Sequence, residues 1–173
     1  SLGTPINIMT DTVSLLWRIR TYGHEVPAGL WETARTYADT KFPKPGLAFA
    51  DAHLGLLSAA MGDRIAAGER IEALTKLVEE GAMAAGPIVP AICRAALAFA
   101  EGDYAGCARI LEPMAGDVAR IGGSGAQREI IEDTLLLALI RSGEATKARA
   151  LLDERLHRRP SPRDTLWKSQ IAA

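Results

Sequence analysis

Four glycines constrain this chain more than any other feature. Gly23, Gly62, Gly102 and Gly143 each close one helix-forming segment and open another, in "LLWRIRTYGHEV", "GLLSAAMGDRIA", "ALAFAEGDYAGCA" and "LLLALIRSGEATKA". Their separations are 39, 40 and 41 residues. A near-constant period of this size marks stacked helical hairpins, because each hairpin hides its apolar face against the next. Ahead of the glycines, apolar residues recur at helical spacing, as in Val13, Leu16 and Trp17 with the stem of Arg20, or Leu135, Leu136, Leu139 and Ile140. Behind them run Ile71, Leu74, Leu77 and Val78, and again Ala148, Leu151, Leu152 and Leu156. Start signals stand at Thr10-Asp11, Pro27, Pro45-Gly46 and Gly86-Pro87. Nothing alternates with period two over a useful length. The pattern predicts an all-α fold of eight helices in four antiparallel pairs, over approximately residues 9–42, 46–82, 87–120 and 124–159. Residues 160–173 are expected to cap a single domain spanning 1–173.

Composition agrees with closely packed helices. Hydrophobic residues make up 48% of the 173 and aromatic ones 5%, with alanine and leucine dominant. A chain of this length buries roughly 70% of the surface its unfolded form exposes, so it needs no staples. A net charge of −1 gives no reason to expect nucleic acid or an anionic membrane as partner. No apolar run approaches the ~20 residues that span a bilayer, and no signal-peptide pattern opens the chain. The expectation is a cytoplasmic protein. Cys93 and Cys107 fit neither a metal spacing nor a disulfide framework and read as buried, reduced thiols. No metal or cofactor is expected.

The hairpins resemble the tetratricopeptide repeat. In "EGDYAGCARILEP", Gly102-Asp103-Tyr104 stands where that motif turns and Cys107 where it places a small residue. In "GEATKARALLDERLHRRP", Gly143 opens the turn, Ala148 is the small residue, and Pro160 falls where the motif ends. Leu54-Gly55 stands at the motif's Leu-Gly, ahead of Gly62-Asp63. The period near 40 departs from the usual ~34, and pairs two to four lack the motif's first-helix tryptophan. Read in order, "LLWRIRTYGHEV…LWETA", "FADAHLGLLSAAMGD", "ALAFAEGDYAGCARIL", "IGGSGAQREIIEDTLLLALIRSG" and "ARALLDERLHRRPSP…LW" resemble the tetratricopeptide repeat protein 38 family. The most specific piece is Gly122-Gly123-Ser124-x-Ala126-Gln127-Arg128 followed by Glu129. The resemblance implies a right-handed α-α superhelix and a chain that is the C-terminal part of a longer protein. It implies no reaction.

The same glycine-rich stretch, "IGGSGAQREII", invites a phosphate-binding reading. A P-loop needs Gly-x-x-x-x-Gly-Lys-Ser/Thr after a strand, and lysine, spacing and strand are all missing. A capping box fits better: the Ser124 hydroxyl accepts from the Gln127 amide, and the Gln127 side chain returns to the Ser124 amide. The alternative is an anion site built from free amides at this helix start with help from Arg128, which is equally placed to pair with Glu129, Glu132 or another helix.

Other chemistry-bearing residues are sparse. Asp51 and His53, two apart on one helix, point roughly 200° apart, so they are not a preformed acid–base pair. A polar contact that fixes neighbouring helices is one reading, and part of a ligand or metal site completed from elsewhere is the other. His24 sits in a turn and His157 on a basic helix end. The cluster "LHRRPSPR", with Arg155 ahead of it, is explained by cations complementing a helix dipole, with binding of acidic partners as the alternative.

In stacked hairpins the first helices line a concave surface. Aligning on the turn glycines puts Trp17, Phe49, Leu56, Ile92, Phe99, Ile130 and Leu137 there. An apolar groove of this kind has three candidate occupants: an external protein or peptide segment, the N-terminal part of the same protein, or a second copy of the chain. The functional expectation is therefore a non-catalytic interaction scaffold. The alternative is part of an enzyme or small-molecule-binding protein, with Asp51, His53 and Arg128 in a pocket that the N-terminal part completes. Val13, Leu15, Leu16, Trp17 and Ile19, with Trp31 and Tyr37 behind them, also predict an open apolar edge on the first pair, exposed or covered by another copy. Trp167 is expected to cover the last pair.

Overall fold

A computed structural model describes residues 3–171, which form an all-helical structure with no strand among them. The elements are α1 (Pro5–Thr21), α2 (Ala28–Lys41), α3 (Ala48–Met61), α4 (Arg64–Glu79), α5 (Ile88–Ala100), α6 (Tyr104–Leu111), a 3-10 segment (Glu112–Ile121), α7 (Gly125–Arg141), α8 (Ala145–Arg158) and α9 (Pro162–Gln170). The first helix begins earlier than Thr10-Asp11 suggests. Pro5 occupies its first turn, where a missing N–H costs nothing, and the Thr10 hydroxyl bonds back to the Ile6 carbonyl inside the helix.

The four turns are built alike. Gly23, Gly62, Gly102 and Gly143 all have positive φ (93°, 69°, 84° and 81°). At each one the next residue's amide reaches back to the carbonyl five positions earlier: His24 to Ile19, Asp63 to Ser58, Asp103 to Ala98 and Glu144 to Leu139. The glycine amide bonds inside that loop, to Arg20, Ala59, Phe99 and Ile140. This is the Schellman arrangement, which satisfies the last carbonyls of a helix and needs a left-handed residue that glycine adopts without a Cβ clash.

Packing follows a repeating triangle. Each odd-numbered helix from α1 to α5 contacts the helix after its turn and the next odd-numbered helix, and each even-numbered helix contacts the odd one that follows. Inner helices are therefore buried on most of their sides. In α3, every residue from Ala50 to Ala60 is buried. Outer helices bury a stripe, such as Trp31, Ala34 and Ala38 in α2 or Ala148, Leu152 and Arg155 in α8. The third pair is irregular. α6 stops at Leu111, and Pro113, which cannot donate to the preceding turn, starts the 3-10 segment instead of a longer helix.

The helices close into a ring. α1 packs against α7 as well as α3, so α1, α3, α5 and α7 form a ring. Trp17 Nε1 donates to Thr134 Oγ1 across the closure at 2.9 Å, and the Trp17 ring lies 5.8 Å from that of Phe99. The expected open edge is thereby corrected: Val13, Leu16 and Trp17 are buried within the single chain, because α7 flanks the side of α1 that α3 leaves free, and Trp31 of α2 is buried against α1 and α3. Leu15 and Leu30 alone keep about half their surface exposed there (59% and 48%). Trp167 covers more than the last pair. From α9 it meets Tyr22, at the end of α1, edge to face at 5.4 Å, so the C-terminal helix reaches the first hairpin.

Two local features have measurable consequences. The capping box is present: Ser124 Oγ accepts from the Gln127 amide (3.2 Å), and Gln127 Oε1 accepts from the Ser124 amide (2.9 Å). Ser124→Ala is expected to cost about 1 kcal/mol in urea unfolding; equal midpoints would remove the cap from the energetics. Cys93 and Cys107 are buried, and burial pushes both thiols up to about 12. Both should react with a thiol reagent no faster than the protein unfolds, and rapid native-state labelling would contradict their burial.

Candidate functional site

The residues expected on a concave face lie instead in the core. Trp17, Leu56, Ile92, Phe99, Ile130 and Leu137 are all buried, and Phe49 is half-buried beneath the loop at Gly123. The closure of α1 onto α7 fills the space that an open array would leave, so these side chains do not line an accessible groove.

Asp51 and His53 each tie α3 to a neighbour. Asp51 accepts from the Gly46 amide (2.8 Å) and pairs with Arg70 of α4. His53 Nδ1 lies 2.7 Å from the Phe49 carbonyl, which can only accept, so Nδ1 carries the proton. Nε2 then accepts from the Ser14 hydroxyl of α1 at 3.1 Å. Burial lowers the His53 pKa to about 4 against the opposing pull of the Phe49 carbonyl and Asp11, so the ring is neutral at pH 7. Arg128 turns back on its own loop and donates to the Gly122 and Gly123 carbonyls. It pairs with neither Glu129 nor Glu132. His24 and His157 are exposed. Among the described residues, no buried side-chain nitrogen or oxygen lacks a partner, and no group of three His, Cys, Asp or Glu side chains is placed to hold a metal ion.

The most heavily charged corner of the molecule lies where α1, α7, α8 and α9 meet. Arg155 of α8, 3% exposed, reaches four carboxylates: Asp164 (2.8 Å), Asp133 (2.8 Å), Glu132 (3.1 Å) and Glu129 (3.2 Å). Burial opposes its charge, but the hydrogen bond to Asp164 and the charges of Asp133, Asp164 and Glu132 win, and the guanidinium is held above its ordinary pKa. Arg163 binds Asp133 (3.1 Å) and Asp164 (3.0 Å). Tyr22 donates to Asp133 (2.9 Å) and accepts from Arg163 (2.7 Å); burial, then Asp133, raises its hydroxyl to about 12. Arg18 of α1 approaches Asp133 at 3.6 Å. Burial alone would raise the Asp164 carboxyl, yet Arg155 and Arg163 hold it below its ordinary range.

This corner corrects the explanation of the basic cluster as helix-dipole compensation. Arg155, Arg158 and Arg159 stand one helical turn apart and face Glu129, Glu132 and Asp133, which are spaced the same way on α7. Two matching rows of opposite charge at i, i+3 and i+4 were the signal in the sequence. Above the network lies a cleft of about 630 Å³ between the 3-10 segment, α7 and α8. Its floor is apolar, with Leu111, Val118, Ile131, Leu135 and Leu151; the small, exposed residues Ala115, Gly116 and Ala119 form one wall. Arg128, Arg158 and Arg159 stand at the end where α7 begins and α8 ends. The cleft exists because the 3-10 segment takes the place of a regular continuation of α6. Among the described residues, no helix is long and apolar enough to cross a membrane. No protein-family model matches the chain, and no solved structure matches it.

Proposed function

We propose that this chain is a non-catalytic interaction module of tetratricopeptide-like hairpins, wound as a right-handed superhelix and related to the tetratricopeptide repeat protein 38 family. Four turns of one construction and the repeating triangle of helix contacts support the repeat reading. The family reading rests on the residues from Gly122 to Glu129 and their neighbours. The observation that carries the function is the cleft over α7 and α8. It combines an apolar floor with exposed charge at one end, and its size falls within the ~300–1,000 Å³ of ordinary ligand sites. The polar groups of the interior are meanwhile committed to one another. Asp51 is bound by Arg70, and His53 is held neutral between Phe49 and Ser14. Function of this kind is docking of a protein or peptide segment on the outside of a closed helical ring, in a cytoplasmic setting.

Selection of peptides from a phage-displayed library, followed by hydrogen-exchange mapping of the selected sequences, tests this reading. Protection should appear in the 3-10 segment, the first half of α7 and the last turns of α8. Selected peptides that protect other helices, or a library that yields none, would refute it.

A further inference from the structure

The charges around the cleft are not balanced at the surface. Four arginines (Arg128, Arg155, Arg158 and Arg159) and three carboxylates (Glu129, Glu132 and Asp164) line the cleft, with Asp133 beneath them. The carboxylates lie beneath. Asp133 and Asp164 are buried, and the side chains of Glu129 and Glu132 are 20% and 27% exposed, against 53% for Arg158 and 62% for Arg159. Each of those two arginines spends a single terminal nitrogen, Nη2, on its glutamate. A guanidinium carries five N–H donors in a rigid fork, so most of the donors of this pair face solvent. Neighbouring ions cancel: Asp117 pairs with Arg120, and Glu112 with Lys147. The cleft is thus cationic at one end and apolar along its floor.

The walls distinguish between ligands that share that chemistry. Ala115, Gly116, Ala119, Gly125 and Ala126 are exposed, so the cleft is open along one side. A bare alkyl chain lying in it would stay half wetted, which forfeits much of the gain from burial. A peptide solves this, because its outward side is polar. The small side chains of the 3-10 wall also allow another backbone to come close. We infer that the cleft takes a short peptide segment that carries apolar side chains followed by acidic residues, the apolar ones on Leu111, Ile131 and Leu135 and the carboxylates on Arg158 and Arg159. The inference rests on the interaction-module reading and specifies its partner.

Two fluorescent peptides test it on the whole chain by anisotropy. They share a leucine- and alanine-rich stretch and end in two glutamates or in two lysines. The acidic peptide is expected to bind at least ten times more tightly, to weaken as salt rises, and to lose at least tenfold in Arg158→Ala/Arg159→Ala. Glu129 and Glu132 keep Arg155 in that variant, so its unfolding midpoint should stay near the parent's, which thermal melting checks. Ala119→Trp, which fills the open wall, should abolish binding. If both peptides bind equally and both are lost in Ala119→Trp, the cleft is a docking site without acidic preference; the inference falls and the module reading stands. Peptide binding untouched by Ala119→Trp would sink both. A tighter lysine peptide, or no binding of either at millimolar concentration, overturns the inference. So does self-association or adhesion to anionic vesicles that Ala119→Trp removes, since each assigns the cleft a different occupant.

Discussion

Arg155→Met should lower stability at pH 7 by about 3–5 kcal/mol in urea unfolding, because it leaves buried carboxylates without their main counter-charge. Asp133 and Asp164 are 2% and 3% exposed and both lean on Arg155 at 2.8 Å. Arg163 and Tyr22 remain, which places the expected loss toward the lower end of that range. The effect carries a pH signature. In the folded protein the Asp164 carboxyl titrates below its ordinary 3.8, despite burial, because Arg155 and Arg163 favour its charged form. A depressed acid contributes stability that is complete above the ordinary value and is lost as pH falls through the folded one. The gap between parent and variant should therefore shrink below pH 3.8. Replacing Asp164 with leucine in the Arg155→Met background should recover part of the loss, since one buried charge then goes with its partner. A gap that is absent at pH 7, or that widens on acidification, would show that the network does not hold this corner together.

Gly55→Ala is the second large effect, and its sign is opposite to helix propensity. Alanine in a helix interior is worth roughly 1 kcal/mol over glycine. At position 55 a Cβ would sit 2.5 Å from Cys93 Sγ and 2.9 Å from Cys93 Cα, where α3 and α5 cross. Backbone cannot swing aside as a long side chain would, so the helices must separate. Overpacking of this kind costs about 1–3 kcal/mol, and the crossing sits in the middle of the ring. We expect a net loss of about 2 kcal/mol by thermal unfolding. Gly68→Ala is the control: Gly68 is exposed on α4 with nothing within 4 Å of its would-be Cβ, and the substitution should stabilise by about 0.5–1 kcal/mol. Cys93→Ala removes the sulfur but not the close Cα, so it should rescue Gly55→Ala in part. Equal responses at the two glycines would mean that the helices do not approach so closely.

What the sequence made legible was local. Ser124 and Gln127 lie three residues apart, and their mutual bonds need nothing from the rest of the chain. The turn glycines announce themselves because a Schellman turn is completed within six residues. Asp51 and His53 were legible halfway. Helix geometry separates them, but Arg70 and Ser14 are chosen by neighbouring helices. Pro113 is visible as a helix breaker, but the glycine period that predicts one regular pair over residues 87–120 carries no sign of the 3-10 segment or of the cleft beside it. Least legible was the closure. Trp17 and Thr134 are 117 positions apart, and the periodicity that reveals a hairpin says nothing about how far the stack curves. The residues that the glycine alignment places on a concave face accordingly form the core.

The meeting of α1 with α7 changes how such a stack should come apart. A linear array unzips from its weaker end, because each unit leans only on its neighbours. In a ring every inner helix has two neighbours, and loosening one strips packing from both. Fraying of the inner helices then has nowhere inexpensive to begin. Amide exchange in α1 and α7 should share the opening energy of the middle helices rather than fall below it. The same contact raises the contact order, since ends separated by most of the chain must find each other before the last hairpin is held. Folding should be slower and more all-or-none than in an open array of equal length.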